Sequence, residues 1–166
     1  MTRDEVVQRA REAGARFIRF QYCDNAGIIR GKAVHLDVLP DRLRSGVGLP
    51  VAMQALNILD QRQPIENLGP VGEVRLVADP DTFRPLPYVP HPGALNCDLL
   101  TADGQPWKLD PRSVLKEQIQ RAADHGLGLQ AAFEVEFTLM NRTPEGQYLP
   151  VDQSLGYSGL GMTAAA

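Results

Sequence analysis

The chain has 166 residues, of which 43% are hydrophobic, and its formal net charge is −3 at pH 7. A chain of this length buries about 70% of its unfolded surface, enough for one ordinary domain or two small ones. The basic residues are scattered, which argues against a nucleic-acid-binding protein, and no apolar run reaches the roughly 18 residues that span a bilayer. We therefore expect a cytoplasmic protein with small-molecule or protein partners, without nucleic acid or membrane among them.

The first hundred residues are predicted to be rich in strands. Apolar residues at helical spacing before Gly14 indicate a short first helix, and the turn formers Asp24 to Gly27 indicate a β-hairpin. The glycine-rich stretch 45–50 is interpreted as a flexible connection rather than a phosphate-binding loop, because the P-loop lysine is missing. The run 51–59 fits either a helix or a strand. The predicted elements are a helix at 3–13, strands at 17–23 and 28–34, a helical turn at 40–43, strands at 74–78 and 94–100, and irregular chain at 80–92.

The two cysteines and three histidines carry no metal-site spacing. Cys23 and Cys97 lie in separate strand-like stretches, so we expect both to be reduced. The histidines, His35, His91 and His125, are far apart, and His125 is interpreted as a favourable charge at a helix C-terminus.

The pattern changes after residue 100. Asp103-Gly104 gives a second hairpin signal, and Asp110-Pro111 predicts an N-cap and first turn for a helix near 111–125. Trp107 is predicted to anchor this junction. We place a domain boundary near 103–109, which divides the chain into pieces 1–103 and 104–166. Thr163 is interpreted as the N-cap of a further helix that begins at 164–166.

Two acids in an apolar run are the strongest indication of chemistry. The segment 127–140 is rich in hydrophobic residues and predicts a largely buried strand, in which Glu134 and Glu136 share one face about 6.5 to 7 Å apart. Two buried carboxylates so close together call for a cation, so a metal site is one interpretation. The other is a half-exposed strand whose acids meet solvent or basic side chains. If the second piece lacks support, Phe133, Val135 and Phe137 face solvent instead.

An ordered set of motifs resembles the glutamine synthetase family. The order is Asn96 to Leu99, Asp103 to Pro106, Asp110 to Leu115, then Glu134 to Phe137, while 20–32 and 72–82 resemble strands of that family's N-terminal domain. The resemblance implies an α+β protein with an N-terminal β-grasp domain at 1–103. It also implies that 104–166 holds only the opening helix and strand of a larger catalytic domain.

The resemblance also implies an activity. Glu134 and Glu136 match metal-binding glutamates of a family that uses Mg²⁺ or Mn²⁺ and the co-substrate ATP. In that chemistry the γ-carboxylate of glutamate attacks the γ-phosphate of ATP, and an amine or ammonia then displaces phosphate. Such metals want about six oxygen ligands, so two glutamates do not complete the site and the chain alone is expected to be inactive. The family implies a ring-shaped homo-oligomer with active sites between subunits.

The glycine-rich stretch departs from the family pattern. Members that use ammonia typically present an aspartate there, whereas residues 46–52 contain no acid, and Glu73 stands where an aspartate is common. An apolar loop suits an alkylamine or polyamine better than ammonium, whose charge needs an anion. The alternatives are thus a γ-glutamyl-alkylamine or polyamine ligase, a non-catalytic assembly module of such an oligomer, and an unrelated α+β domain.

Overall fold

Residues 1–89 and 92–151 are described in the computed structural model of the chain. They divide into two compact units, one covering 1–128 and the other starting at 129. The helices are α1 (Arg3–Glu12), α2 (Leu39–Ser45) and α3 (Pro111–Asp124), with single 3₁₀ turns at Leu36–Val38, Val51–Ala55 and Pro80–Thr82. The strands are β1 (Phe17–Cys23), β2 (Ile29–His35), β3 (Val47–Pro50), β4 (Glu73–Ala78), β5 (Arg84–Pro85), β6 (Pro92–Leu100), β7 (Met140–Arg142) and β8 (Tyr148–Pro150).

The first unit is built on one mixed sheet. Its strand order is β2-β1-β6-β4-β3, with β5 added beside β6. The central pair β1 and β6 is parallel and the other pairs are antiparallel. The hairpin of β1 and β2 pairs Phe17 with His35 at one end and Cys23 with Ile29 at the other. This confirms the predicted hairpin and the α+β class.

The core lies between α1, α2 and one face of the sheet. Alternation along β1 turns Ile18, Phe20 and Tyr22 inward, and all three are buried. The helices contribute residues at 3.6-residue spacing, and Leu39 and Leu43 of α2 are fully buried. Trp107 packs against this core, as predicted.

Asp110 fastens α3 to the sheet. Its carboxylate is buried and accepts hydrogen bonds from Ser113 N at 3.1 Å and Arg112 N at 3.3 Å, which makes it the predicted N-cap. The same Oδ2 accepts from Leu99 N of β6, also at 3.1 Å. Arg112 adds ion pairs to Asp79 and Asp98, so the first turn of the helix is tied to the sheet by charge as well.

The predicted strand at 127–140 is wrong for most of its length. Residues 127–139 have no regular secondary structure, and a short strand, β7, begins only at Met140 and pairs with β8. A strand depends on hydrogen bonds to a neighbouring strand, and none of the described strands pairs with 127–139. Its hydrophobic side chains therefore face solvent: Phe133 is 98% exposed, Val135 79% and Phe137 80%.

Three local expectations need adjustment. The glycine-rich stretch is not a flexible connection, because Val47 to Pro50 form β3 and pair with β4. The ambiguous run 51–59 is neither α-helix nor strand and begins with a 3₁₀ turn. The second hairpin signal produces a tight turn, in which Gly104 N donates to Thr101 O, with a single bridge between Leu100 and Pro106.

Some predictions concern residues outside the description. The helix start at Thr163 lies among residues 152–166, and His91 lies between the two described ranges. The domain boundary at 103–109 stays a prediction.

Candidate functional site

Glu134 and Glu136 lie on the irregular segment 127–139 of the chain. Both side chains are exposed. The acids therefore do not form the buried face of a strand here, and the argument from the cost of burial does not apply to this arrangement.

The two carboxylates supply the right kind of ligand but too few of them. Mg²⁺ and Mn²⁺ prefer oxygen donors, and Glu134 and Glu136 offer carboxylate oxygens. Among residues 1–89 and 92–151, no group of three or more His, Cys, Asp or Glu residues is placed to hold a metal ion. The described residues alone do not make a complete metal centre.

The glycine-rich stretch and Glu73 lie side by side in the sheet. β3 and β4 pair Gly48 with Arg75 and Pro50 with Glu73. The Glu73 carboxylate occupies the space beside Gly48, where an added Cβ would come within 2.5 Å of its Oε2. Arg75 lies 3.2 Å from Glu73 Oε1. The acid that the sequence places near this stretch is therefore present, with its charge compensated by Arg75.

The turn between β1 and β2 is organised by a buried acid. Asp24 is 1% exposed, and its Oδ1 accepts from Ala26 N at 2.9 Å and Ile28 N at 2.8 Å. Arg30 forms an ion pair with Asp24 and a second one, at 2.6 Å, with Asp60. The turn chemistry expected of Asp24 is confirmed, and it also neutralises Arg30.

Gln54 joins this turn to the 3₁₀ segment after β3. Its Oε1 accepts from Asn25 N at 3.0 Å, and its backbone oxygen accepts from Asn25 Nδ2 at 3.3 Å. Lys32 Nζ donates to Gly48 O and so links β2 to β3, the two edge strands of the sheet. These contacts hold the two ends of the sheet order close to each other.

A cleft of about 390 Å³ lies between these edges. Its lining contains apolar side chains and two cations, with no acid among them. The lining residues are Tyr22, Ile28, Ile29, Arg30, Gly31, Lys32, Leu49, Pro50 and Met53. Burial raises the pKa of the Tyr22 hydroxyl to about 12.

The histidines do not contribute to either arrangement within the described residues. His125 Nδ1 lies 2.8 Å from Arg121 O at the end of α3, which agrees with its predicted place at a helix C-terminus. His35 Nδ1 accepts from Asp37 N at 3.3 Å and its ring meets Phe17 edge-on. Both have local structural roles.

Sequence reasoning missed the cleft. Its residues come from β1, β2 and the chain after β3, which are brought together by the curvature of the sheet. Tyr22 could have been noticed, since it shares the inward face of β1 with Phe20. Arg30 and Lys32 could not, because a basic residue on an edge strand is typical of any soluble sheet.

Two family models match the chain in succession. The glutamine synthetase N-terminal domain matches residues 1–107, and the glutamine synthetase catalytic domain matches residues 108–160. The chain belongs to the glutamine synthetase family. The family assignment agrees with the ordered motifs, and it puts Glu134 and Glu136 within the part matched by the catalytic domain.

Individual relatives support the same assignment. A glutamine synthetase from Methanosarcina mazei is 31% identical over 87% of this chain and 31% of its own length. A gamma-glutamylanilide synthase from an Acinetobacter species is 27% identical over 95% of this chain and 33% of its own. A solved structure described as a GmaS/ADP complex aligns with a TM-score of 0.61 and 26% identity, over 72% of this chain and 26% of the other. The chain thus spans about a third of the length of the curated relatives that it matches.

The described helices include none that is long and apolar enough to cross a membrane.

Proposed function

We propose that the full-length protein is an ATP-dependent ligase that joins an amine or ammonia to the γ-carboxyl of glutamate. The γ-carboxylate attacks the γ-phosphate of ATP and releases ADP, and the amine nitrogen then displaces phosphate from the γ-glutamyl phosphate. The observation that carries this proposal is the family match across two consecutive domains, 1–107 and 108–160. The family's ring-shaped oligomer and a cytoplasmic location remain predictions.

Glu134 and Glu136 are proposed as two ligands of the divalent metal in that enzyme. They lie in the stretch matched by the catalytic domain and offer oxygen donors. A metal held there would neutralise negative charge on the phosphoryl oxygens. The chain's own part is to place the two carboxylates two residues apart, with other ligands required from elsewhere.

We propose a substituted amine, rather than ammonium, as the preferred nitrogen donor. An ammonium ion needs a nearby uncompensated anion, and residues 46–52 contain no acid. The nearby Glu73 carboxylate is paired with Arg75 at 3.2 Å. The similarity to a gamma-glutamylanilide synthase over 95% of the chain favours the same preference.

An amine panel tests the activity and the preference together. Full-length protein is incubated with ATP, glutamate and ammonium, ethylamine or aniline, while phosphate release and the γ-glutamyl product are measured. We expect an amine-dependent product, with at least one substituted amine favoured over ammonium in kcat/KM. Phosphate release that no amine stimulates would overturn the ligase proposal and favour the assembly module.

A matched pair of variants tests the role of the loop. Pro50 is exposed and lies opposite Glu73 on the paired strands. Pro50→Asp adds an anion to the loop, whereas Pro50→Asn adds a side chain of the same shape without charge. We expect Pro50→Asp to lower the KM for ammonium relative to Pro50→Asn. Equal values for the two variants would separate the loop from amine selection.

A further inference from the structure

Buried polar groups without hydrogen bonds mark one region of the first unit. Among the described residues, the side-chain atoms of this kind belong to Tyr22, Arg30 and Gln54. Tyr22 and Arg30 are paired across the hairpin, and Gln54 is hydrogen-bonded to the turn of that hairpin. Arg30 also has its ion pairs to Asp24 and Asp60. Buried groups of this kind normally find a partner, so their coincidence in one place points to a missing one.

The Tyr22 hydroxyl is the most informative of these groups. The side chain is 4% exposed, lines the cleft between the sheet edges, and has no hydrogen-bond partner for its hydroxyl among the described residues. Leaving a buried hydroxyl unpaired is unfavourable by about 1–3 kcal/mol. A ligand oxygen or a water in the cleft would remove that cost.

Lys32 gives the cleft a positive charge that no acid compensates. Its Nζ donates to Gly48 O, and in the described part of the chain no carboxylate lies within 4.0 Å of it. An ammonium group has three N–H donors, so others remain for a ligand. Arg30, the other cation of the lining, is already engaged by Asp24 and Asp60.

The opposite wall is apolar. Leu49, Pro50 and Met53 line it, and Leu49 is 2% exposed. A cleft of about 390 Å³ is near the lower end of the volumes that hold small organic ligands. The lining thus combines a cation, an unpaired hydroxyl and a hydrophobic surface.

We propose that this cleft binds a small organic carboxylate with an apolar body. The carboxylate accepts hydrogen bonds from Lys32 Nζ and the Tyr22 hydroxyl. The body lies against Leu49, Pro50 and Met53. The proposal does not depend on the ligase activity, because binding requires neither ATP nor a metal, and each of the two proposals can fail alone.

Three probes of the same size separate the possible ligand charges. Benzoate, benzyl alcohol and benzylamine are titrated into the full-length protein, followed by calorimetry and by ¹⁵N chemical-shift changes. We expect saturable benzoate binding that shifts amide signals of β2 and of residues 47–53, with weaker binding of the alcohol and none of the amine. Absence of saturable benzoate binding, or an amine that binds as tightly as benzoate, would overturn the proposal.

Charge variants identify the group that binds. Lys32 is exposed, so Lys32→Met leaves the core intact, and we expect it to weaken benzoate binding about tenfold, as for loss of one charge-assisted hydrogen bond. Lys32→Arg keeps the charge and is expected to retain binding. Lys108→Met removes a lysine that does not line this cleft and serves as the control. Equal affinities for Lys32→Met and Lys108→Met would overturn the assignment of the carboxylate to Lys32.

Discussion

Replacing Asp110 by alanine is expected to destabilise the first unit strongly. The change removes the N-cap of α3, which contributes about 1 kcal/mol. It also leaves Leu99 N, which donates to Asp110 Oδ2 at 3.1 Å, buried without an acceptor, at a cost of about 1–3 kcal/mol. The free energy of unfolding should fall by about 2–4 kcal/mol, and Tm by about 6–16 °C for a chain of this length. Urea denaturation followed by circular dichroism measures both the free energy and the cooperativity.

Two companion variants isolate the cause. Asp110→Asn keeps an acceptor oxygen and is an equally good N-cap, so it should lose clearly less stability than the alanine variant. Asp124→Ala removes an exposed acid at the other end of α3 and should stay within about 0.5 kcal/mol of the parent protein. An Asp110→Ala protein as stable as Asp124→Ala would refute the conclusion that this carboxylate fastens the helix to the sheet.

The hairpin and the buried groups give three further tests. Gly31→Ala should lower stability by about 1–3 kcal/mol in urea denaturation, because its Cβ would lie 2.6 Å from Phe20 O; an unchanged midpoint would contradict the register. Burial raises the pKa of Tyr22 to about 12, so the folded state keeps the proton that the unfolded state loses above about pH 10. Stability should therefore fall between pH 10 and 12 by up to about 2 kcal/mol, and Tyr22→Phe should show a smaller fall in urea titrations over that window. In native thiol titration Cys23, which is half-buried, should react before Cys97, which is 1% exposed and whose thiol pKa is raised by burial; equally fast labelling would contradict the placement of Cys97 in the core.

The sequence predicted best where the signal is local. Asp110-Pro111 combines an N-cap with a first-turn proline, and both act within a few residues of each other, so α3 begins where expected. The β1–β2 hairpin was predictable for the same reason, since the Asp24 carboxylate bonds to backbone groups two and four residues along the chain.

Long-range pairing explains what could not be predicted. Val47 to Pro50 contains a glycine and a proline and is a poor strand by composition, yet it pairs with β4 because that edge of the sheet is available. The segment 127–139 has the composition of a strand but no described strand beside it, and composition cannot supply a partner. Glu134 and Glu136 were thus selected from the sequence for burial that this structure does not give them, and their assignment depends on the family match.

A metal titration tests the central claim most directly. Full-length protein, together with its Glu134→Ala and Glu136→Ala variants, is titrated with Mn²⁺ and the free ion is measured by electron paramagnetic resonance. Glu145→Ala, which removes an exposed acid from the β7–β8 turn, is the control. Each of the first two variants should weaken at least one Mn²⁺ site about tenfold or more, as expected for the loss of a carboxylate ligand, while the control binds as the parent does. Unchanged Mn²⁺ affinity in both variants would contradict the assignment of Glu134 and Glu136 as metal ligands.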